Sequence, residues 1–441
     1  MMAIVPTRKT YGLLVGGGAI ATLLTNFSDN PDRLTIALLA LLLFDGAVLT
    51  AMVWDGLQTR TRKVTLSRDP LHRLSIGRDN PITLKCQAQI QTRLRLYDNY
   101  PVEFDGTLMP LDLTIPGAGT EIVSYTVNPK QRGEYHWGDI QIQQRGRFSL
   151  AWADWTIPAA ATVAVYPDLI GLNQLSIKLA LQSTGTLKQK RRLGVGTEFA
   201  ELREYGVGDD PRFIDWKATA RLSQPLVRVL EPEREQTLVI LLDRGRLMTA
   251  QVQRLTRFDW GLNAALSLAL AGVSRGDRVG IGVFDRTLHT WIPPRGGRAT
   301  LRQMIERLTP IQPVLHESDY LAAATHAARQ QHRRSLVVMI TDIVDQTASA
   351  ELLSAMARMR PRHLPFCITL RDSHIDRQAQ QMTTDVDAAY ERAVALDLLN
   401  QREVAFSKLK QRGVLVLDAP AHQITDPLVE AYLRIKIQGR L

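Results

Sequence analysis

Residues 34–54, LTIALLALLLFDGAVLTAMVW, carry a single charge, Asp45, and match the roughly 20 residues that a helix needs to cross a bilayer. Such a run has no polar face to offer water, so it either spans a membrane or is buried on all sides. A second uncharged run, YGLLVGGGAIATLLTNF at 11–27, precedes it at the short limit of about 17 residues. The link SDNPDR is too short for anything but antiparallel neighbours. The pair predicts a transmembrane helical hairpin within residues 1–60, with spans at about 11–27 and 34–54. A signal peptide is the rival reading of the first run; the second run arriving at once, and the lack of a small-residue cleavage site, favour the hairpin. Arg8 and Lys9 precede the hairpin and Arg60, Arg62 and Lys63 follow it, while the link offers Arg33 beside Asp29 and Asp32. The positive-inside rule then places both flanks in the cytoplasm. Asp45 is a functional suspect as an intramembrane carboxyl. It also falls opposite Gly16 to Gly18, where helices approach closely, and a protonated or hydrogen-bonded group stabilising the hairpin explains it too.

With 441 residues the chain exceeds one ordinary core, and two to three domains are expected. A net charge of +10 and a pI of 9.7 suit nucleic acid, an anionic membrane surface or an acidic partner, and charge alone does not choose. Cys86 and Cys367 lie far apart and give neither a disulfide framework nor a cysteine metal site. The scattered histidines form no HExxH pair, which argues against a zinc enzyme.

Past the hairpin the apolar period becomes two. ITLKCQAQIQTRLRLYD, EIVSYTVNP and DIQIQQRGRFSLAWADW alternate apolar and polar residues between turn-like PGAG, KQRGEY and IPAA, predicting a small antiparallel β-sandwich over 61–170. Trp137, Trp152 and Trp155 read as core or rim aromatics. Gly133 suits a tight turn, and Arg132 has the reach to pair with a neighbouring carboxylate. From Thr237 onward near-continuous Val/Ile/Leu runs alternate with amphipathic helices, the pattern of strands buried on both faces. The expected fold for 236–441 is therefore α/β, a doubly wound, mostly parallel sheet, with TLHTWI as an edge strand. Three strands end in aspartate, Asp243, Asp342 and Asp418, at the end of the sheet where such folds bind ligands. No strand is followed by GxGxxG and no GxxxxGK[ST] occurs, which argues against an intrinsic ATPase or dinucleotide enzyme.

Between these regions, at 171–235, stands GTEFAELREYGVGDDPRFIDWKATAR, followed by PLVRVLEPEREQTLVILLD. This signature resembles that of the domain of unknown function family 58, membrane-anchored proteins with a von Willebrand factor A-like domain, and the likeness extends through RGEYHWGDI upstream and RRSLVVMITDI and YLRIK downstream. The resemblance implies a bacterial plasma-membrane protein and a partner, a MoxR-type AAA+ ATPase, with which it would act on a client complex. The von Willebrand A fold often carries a Mg²⁺ adhesion site built on DxSxS, a Thr and a later Asp. Here Asp243 and Asp342 match, Ser318 stands for the Thr, with Glu317 and Asp319 beside it, and Gly245 and Leu247 replace the two serines. The resemblance thus implies at most weak Mg²⁺. The alternative is a vestigial pocket in which an arginine, with Arg244 and Arg246 nearby, neutralises Asp243 and Asp342.

Within the signature, Asp209 or Asp210 before Pro211 reads as a helix start, with the helix running to about Leu222. Phe213, Trp216, Lys217 and Ala220 would share a face, and Arg212 would pair with Asp215. Two readings stay open. In one, Arg203, Tyr205, Lys217, Arg221 and the basic loop Lys188, Lys190, Arg191 and Arg192 form an interface for an acidic partner. In the other, Glu198, Arg203, Glu204, Asp209, Arg212 and Asp215 form an ion-pair lattice tying the segment to the α/β domain. Function classes follow: a membrane-tethered, cytosol-facing interaction protein without catalysis of its own; a metal-dependent hydrolase using Asp243, Asp342, Asp209 and Asp210; or a nucleic-acid binder, for which no recognition fold is visible.

Overall fold

Strand burial follows directly from the aliphatic runs, and in the computed structural model they organise two compact units, Met1–Tyr166 and Pro167–Leu441. The structure describes residues 3–26, 31–61, 63–71, 73–117, 119–186, 198–231, 235–343, 349–381 and 385–439. Residues 28–30 of the expected hairpin link and the basic loop Lys188, Lys190, Arg191 and Arg192 lie outside these.

The first unit opens with strand β1 (Ala3–Pro6), helix α1 (Arg8–Asn26) and helix α2 (Pro31–Thr61). Within α2, Thr35–Thr59 is long and apolar enough to cross a membrane. Leu42 and Leu43 are each 72% exposed, so this surface calls for an apolar solvent. The two helices meet at Gly17, where an added Cβ would stand 2.8 Å from the Phe44 ring. The neighbouring Asp45 keeps Oδ1 buried without a hydrogen-bond partner.

Strands follow as β2 (Thr65–Arg68), β3 (Leu74–Ser75), β4 (Asn80–Ala88), β5 (Thr92–Asp98), β6 (Phe104–Gly106), β7 (Leu111–Ile115), β8 (Gly119–Pro129), β9 (Gly133–Trp137), β10 (Ile140–Arg145), β11 (Ala151–Ile157) and β12 (Ala161–Tyr166). They form sheets β1-β11-β10-β5-β7, β2-β4-β8-β6 and β3-β12-β9, antiparallel except for the short β3–β12 pair. Alternation places Leu94, Leu96, Ile140 and Ile142 inside, all at 1% exposure or less. Trp137 and Trp155 are core residues, as their pattern predicts. The core also holds a charge the sequence does not announce: Asp98 accepts from Arg68 (2.7 Å), Tyr125 Oη (2.7 Å) and Trp137 Nε1 (2.9 Å). Three donors make that burial tolerable.

β1 precedes the first helix yet pairs with β11, Val5 opposite Trp152. Thr7 and Thr10, both buried, donate to the carbonyls of Ser149 (2.7 Å) and Leu150 (2.5 Å). At the far end of α2, buried Asp55 accepts from the backbone N–H groups of Phe148 and Leu150, both at 3.0 Å. The segment before α1 and the residue near the end of α2 are thus held by one turn.

The second unit begins with α3 (Leu169–Thr186), a helix not anticipated above; Leu172, Leu175 and Leu179 carry its buried stripe, and Asp168 accepts from Gly171 N–H at its start. Then come β13 (Glu198–Glu204), α4 (Trp216–Leu222), β14 (Leu226–Glu231), β15 (Thr237–Asp243), a minimal hairpin of β16 (Gln251–Val252) and β17 (Leu255–Thr256), α5 (Arg257–Ser274), β18 (Arg278–Phe284), β19 (Leu288–Arg295), α6 (Arg298–Leu308), α7 (Tyr320–Gln330), β20 (Leu336–Thr341), α8 (Ala350–Met359), β21 (Leu364–Arg371), α9 (Ser373–Gln380), α10 (Val386–Gln411), β22 (Leu415–Pro420) and α11 (Thr425–Ile437). The sheet order is β19-β18-β15-β20-β21-β22, parallel except for edge strand β19. This is a doubly wound, mostly parallel α/β sheet, and its order reverses between β15 and β20. Period two works on both faces. Leu238, Ile240 and Leu242 join α5 and α11 in one core, while Val239 and Leu241 join α7, α8 and α10 in the other. A Thr256–Asp259 capping box starts α5, and Gly276, at φ +83°, follows its end as its sequence position suggests.

Candidate functional site

The signature segment is an antiparallel pair, β13 with β14, whose connection carries a cluster of charged and aromatic side chains. Arg203 lies opposite Val227 and reaches Asp209 with both terminal nitrogens, at 2.8 and 2.5 Å. Asp209 also takes the Gly206 N–H (2.8 Å), and Tyr205 Oη donates to the Asp209 carbonyl (3.1 Å). The Arg203 guanidinium, then the Gly206 amide, hold the Asp209 carboxyl below its usual range.

The single helix expected from Pro211 to Leu222 is two pieces. Asp210 caps a 3₁₀ turn, Pro211–Phe213, accepting from Arg212 N (3.0 Å) and Arg212 Nη2 (2.6 Å). Asp215 then caps α4 through Lys217 N (3.1 Å) and Ala218 N (3.0 Å) and pairs with Arg228 (3.3 Å). Arg212 therefore pairs with Asp210, not with Asp215 as its spacing suggested. The chain breaks at Ile214, which bridges to Val227, because Asp215 works better as a cap than as a helix-interior residue. The face predicted for Phe213, Trp216, Lys217 and Ala220 is not a buried one: α4 has no buried residue, and Trp216 is 70% exposed. Among the described residues the lattice reading, one of the two left open, finds no ion pair that leaves the signature segment. The ion pairs of Arg203, Arg212 and Asp215 join signature residues to one another. Glu204, Lys217 and Arg221 are exposed, and the Glu198 side chain lies outside the described residues.

Asp215→Ala should fray α4, read as faster hydrogen exchange at the Lys217 and Ala218 amides, whereas Asp215→Asn should keep the cap. The depressed carboxyls of Asp209, Asp210 and Asp215 fix the pH dependence. Their stabilisation is present above the unfolded carboxylate value of about 3.9 and is lost as pH falls through their lower folded values. Protection at the Gly206 amide should therefore persist to below about pH 4. Its loss at a higher pH would contradict the pairing.

The second cluster sits at the switch point of the sheet. Asp243, 1% exposed, ends β15; its Oδ1 accepts from Ser318 Oγ (2.5 Å) and Gly245 N (2.7 Å), and its Oδ2 from Thr341 Oγ1 (2.6 Å) and Tyr320 Oη (3.1 Å). Burial pushes its carboxyl up, and the four donors, Ser318 first, pull against that. Asp342 follows β20 and is clamped between Arg257 (3.1 Å) and Arg402 (2.7 Å). Arg402 continues to Asp418 (2.8 Å), which also takes Thr369 Oγ1 (2.6 Å) and Arg371 (2.9 Å). Burial opposes the charge on Arg402, but Asp342 and Asp418 outweigh it and raise its pKa.

Of the three residues that the resemblance groups, Ser318 donates to Asp243, whereas the Asp342 carboxylate is engaged by Arg257 and Arg402. The sequence leaves the neutralising arginine unspecified, with Arg244 and Arg246 only nearby. Arg244 and Arg246 turn to Asp285 (2.7 Å) and Glu317 (2.5 Å), and Asp319 caps α7 through Ala322 N (2.7 Å). The arginines at Asp342 come from the start of α5 and the middle of α10, and among the described residues no arginine pairs with Asp243. Nothing in local sequence marks Arg402, which lies 60 positions from its partner.

A divalent cation does not fit these residues. A carboxylate has about four acceptor positions, and all four on Asp243 face donors. Arg257 and Arg402 put positive charge where Mg²⁺ would seek hard oxygen ligands. Among the described residues no three His, Cys, Asp or Glu side chains are placed to hold a metal. Gly245 explains the loss of the motif serine: any Cβ there would overlap Ser318 Oγ and stand 2.7 Å from the His316 carbonyl.

Comparison with known proteins follows this geography. Residues 201–406 match the model of the family described as "Protein of unknown function DUF58". The uncharacterized proteins Mb1516 of Mycobacterium bovis and Rv1480 of Mycobacterium tuberculosis are each 26% identical over 209 residues, 46% of this chain and 65% of theirs. The chain thus spans about 65% of the length of the curated relatives it matches. Among solved structures, an aerotolerance-related membrane protein from Bacteroides fragilis is similar at 16% identity and TM-score 0.32, covering 46% of this chain and 99% of that one. BatB from Bacteroides thetaiotaomicron gives 14% and 0.31 over 46% and 97%, and the SpRpn10 VWA domain 14% and 0.28 over 45% and 95%. The fold rests on its own strand order. Residues 201–406, which hold the signature hairpin, the Asp243 cluster and the Arg402–Asp342 pair, belong to the DUF58 family.

Proposed function

We propose that the chain is a membrane-tethered, cytosol-facing interaction protein of the bacterial plasma membrane that works with a MoxR-type AAA+ ATPase on a client complex. The observation that carries this reading is the division of labour in the signature segment. Its aspartates are spent on local caps and pairs, while Trp216, Leu222 (62% exposed), Arg212 and Arg221 face solvent. Tryptophan and arginine on a locally braced scaffold are the composition of an interface hot spot. The hydrolase reading gains nothing from the aspartates: Asp209 and Asp210 are bound by Arg203 and Arg212, and Asp243 and Asp342 by hydroxyls and arginines.

A two-pass anchor draws support from connectivity. β1 and β11 share a sheet, so the segment before α1 and the strands after α2 occupy one side of any bilayer. If Thr35–Thr59 crosses, α1 must cross back, since one crossing would tear β1 from β11. The basic flanks then put that side in the cytoplasm.

The test uses the full chain in nanodiscs and a purified MoxR-type AAA+ ATPase of the same organism, with Kd measured with and without ATP. Trp216→Ala should weaken binding about 30-fold, the effect of losing a hot spot of about 2 kcal/mol. No binding by the unmodified chain in either nucleotide state would end the partnership. Binding that Trp216→Ala leaves unchanged would move the docking surface off the signature.

A further inference from the structure

Basic residues without acidic neighbours gather at one end of the α/β sheet. The parallel strands start in register, Leu238 opposite Leu336, Leu336 opposite Leu364 and Phe366 opposite Leu415, so the loops that feed them gather at one end of the sheet, opposite the Asp243 cluster. Three of those approaches read RQQHRR (329–334), RMRPRH (358–363) and KLKQRG (408–413); each holds three Lys or Arg, and none holds Asp or Glu. Arg329, Arg333, Arg358, Arg360, Arg362 and Arg412 are exposed, and the salt bridges found among the described residues leave all six out. The helix macrodipole favours a cation in a last turn, which accounts for Arg329, Arg358 and Lys410. It fades beyond that turn, and Arg333 and Arg362 lie past the helix ends. Burial first, and then Arg362, hold the neighbouring His363 below its ordinary range.

A groove of about 390 Å³ opens here between α7 and α8. Leu321, Ala324 and Met359 line its apolar part, and Arg329, Arg358 and Arg362 its cationic part. We propose that this pole of the α/β unit docks on an anionic lipid headgroup surface, that of the bilayer entered by Thr35–Thr59. The proposal rests on the membrane-anchor reading above, not on the ATPase partnership.

Three observations favour lipid over another macromolecule. Apolar lining beside guanidinium groups matches a lipid, whose phosphate sits above an acyl chain. The three stretches contain no Phe, Tyr or Trp, so they lack both the aromatic anchors of protein hot spots and a base-stacking platform. The charge spreads over neighbouring strand starts spaced about 4.8 Å apart, a front rather than a socket. A headgroup surface presents negative charge as a sheet, and a tether on the same chain raises its local concentration.

The experiment places one fluorophore at Gln330→Cys, an exposed position at the end of α7. Cys86 and Cys367 are buried, and burial pushes their thiols up to about 11 and about 12, so labelling is confined to the new cysteine. Energy transfer to an acceptor lipid is measured for the full chain in nanodiscs of phosphatidylcholine, with or without phosphatidylglycerol. Transfer should rise with phosphatidylglycerol and fall back at high salt. The triple variant Arg333→Gln, Arg358→Gln, Arg362→Gln should lose the rise, each charge removing about fivefold from the docked-to-free ratio. Equal transfer in the two lipids overturns the proposal and leaves the pole to an acidic macromolecule. A lipid-dependent rise that survives in the triple variant overturns its assignment to this end of the sheet. Failure of the anchor reads differently, as a chain that does not enter the nanodisc; pelleting of that chain with phosphatidylglycerol but not phosphatidylcholine vesicles upholds the docking, and pelleting with neither overturns it.

Discussion

Replacing Arg402 by Met should destabilise the α/β unit by about 3–5 kcal/mol, the cost of removing one partner from a buried ion pair. Arg402 joins β20 to β22 through Asp342 and Asp418 and donates to the Ile343 carbonyl, with its side chain 6% exposed. Methionine fills comparable space but leaves Asp342 to Arg257 and Asp418 to Arg371 and Thr369, each short of one donor in a site closed to water. At roughly 2–4 °C per kcal/mol for a unit of this size, the melting midpoint should fall by about 10 °C. Arg246→Ala is the matched control. Its pair with Glu317 has side chains 54% and 73% exposed, so its loss should cost less than about 1 kcal/mol. Calorimetry on the two variants separates the cases, and an Arg402→Met midpoint as close to the parent as that of Arg246→Ala would show that the buried network is not what holds the sheet edge.

The second large effect runs against motif logic. Gly245→Ser restores the first serine of the adhesion pattern, and on sequence grounds it should gain a Mg²⁺ ligand. Geometry predicts the reverse. The new Cβ would displace Ser318 from Asp243 and press on the His316 carbonyl, which is backbone with little room to yield. The expected result is a loss of about 1–3 kcal/mol from overpacking, with no recovery in Mg²⁺. Gly245→Ala should lose as much, because the Cβ and not the hydroxyl does the damage. A Mg²⁺-dependent rise in the melting midpoint of the serine variant alone would show that the cluster still adapts to a cation. Both results bear on how the buried aspartates at the switch point are held: hydroxyls satisfy Asp243 and guanidinium groups bridge Asp342 and Asp418.

Much of this protein was legible in its sequence, because the governing physics is periodic. The apolar run within α2, the alternation of the N-terminal strands and the double-sided burial of TLVILLD follow from which residues repeat at which interval. Local caps were legible only in part. Asp210 and Pro211 announced a start, yet Asp215 began a second one, since a cap is decided by where the backbone N–H groups end up free. The remainder was set by contacts between residues far apart in the chain. That β1 pairs across the helices with β11, that Asp98 gathers Arg68, Tyr125 and Trp137, and that Arg402 rather than Arg244 or Arg246 reaches Asp342 are decided by tertiary structure. Charge and hydrogen-bonding capacity belong to a residue type, but partnership depends on which backbones the fold brings within about 3 Å of each other.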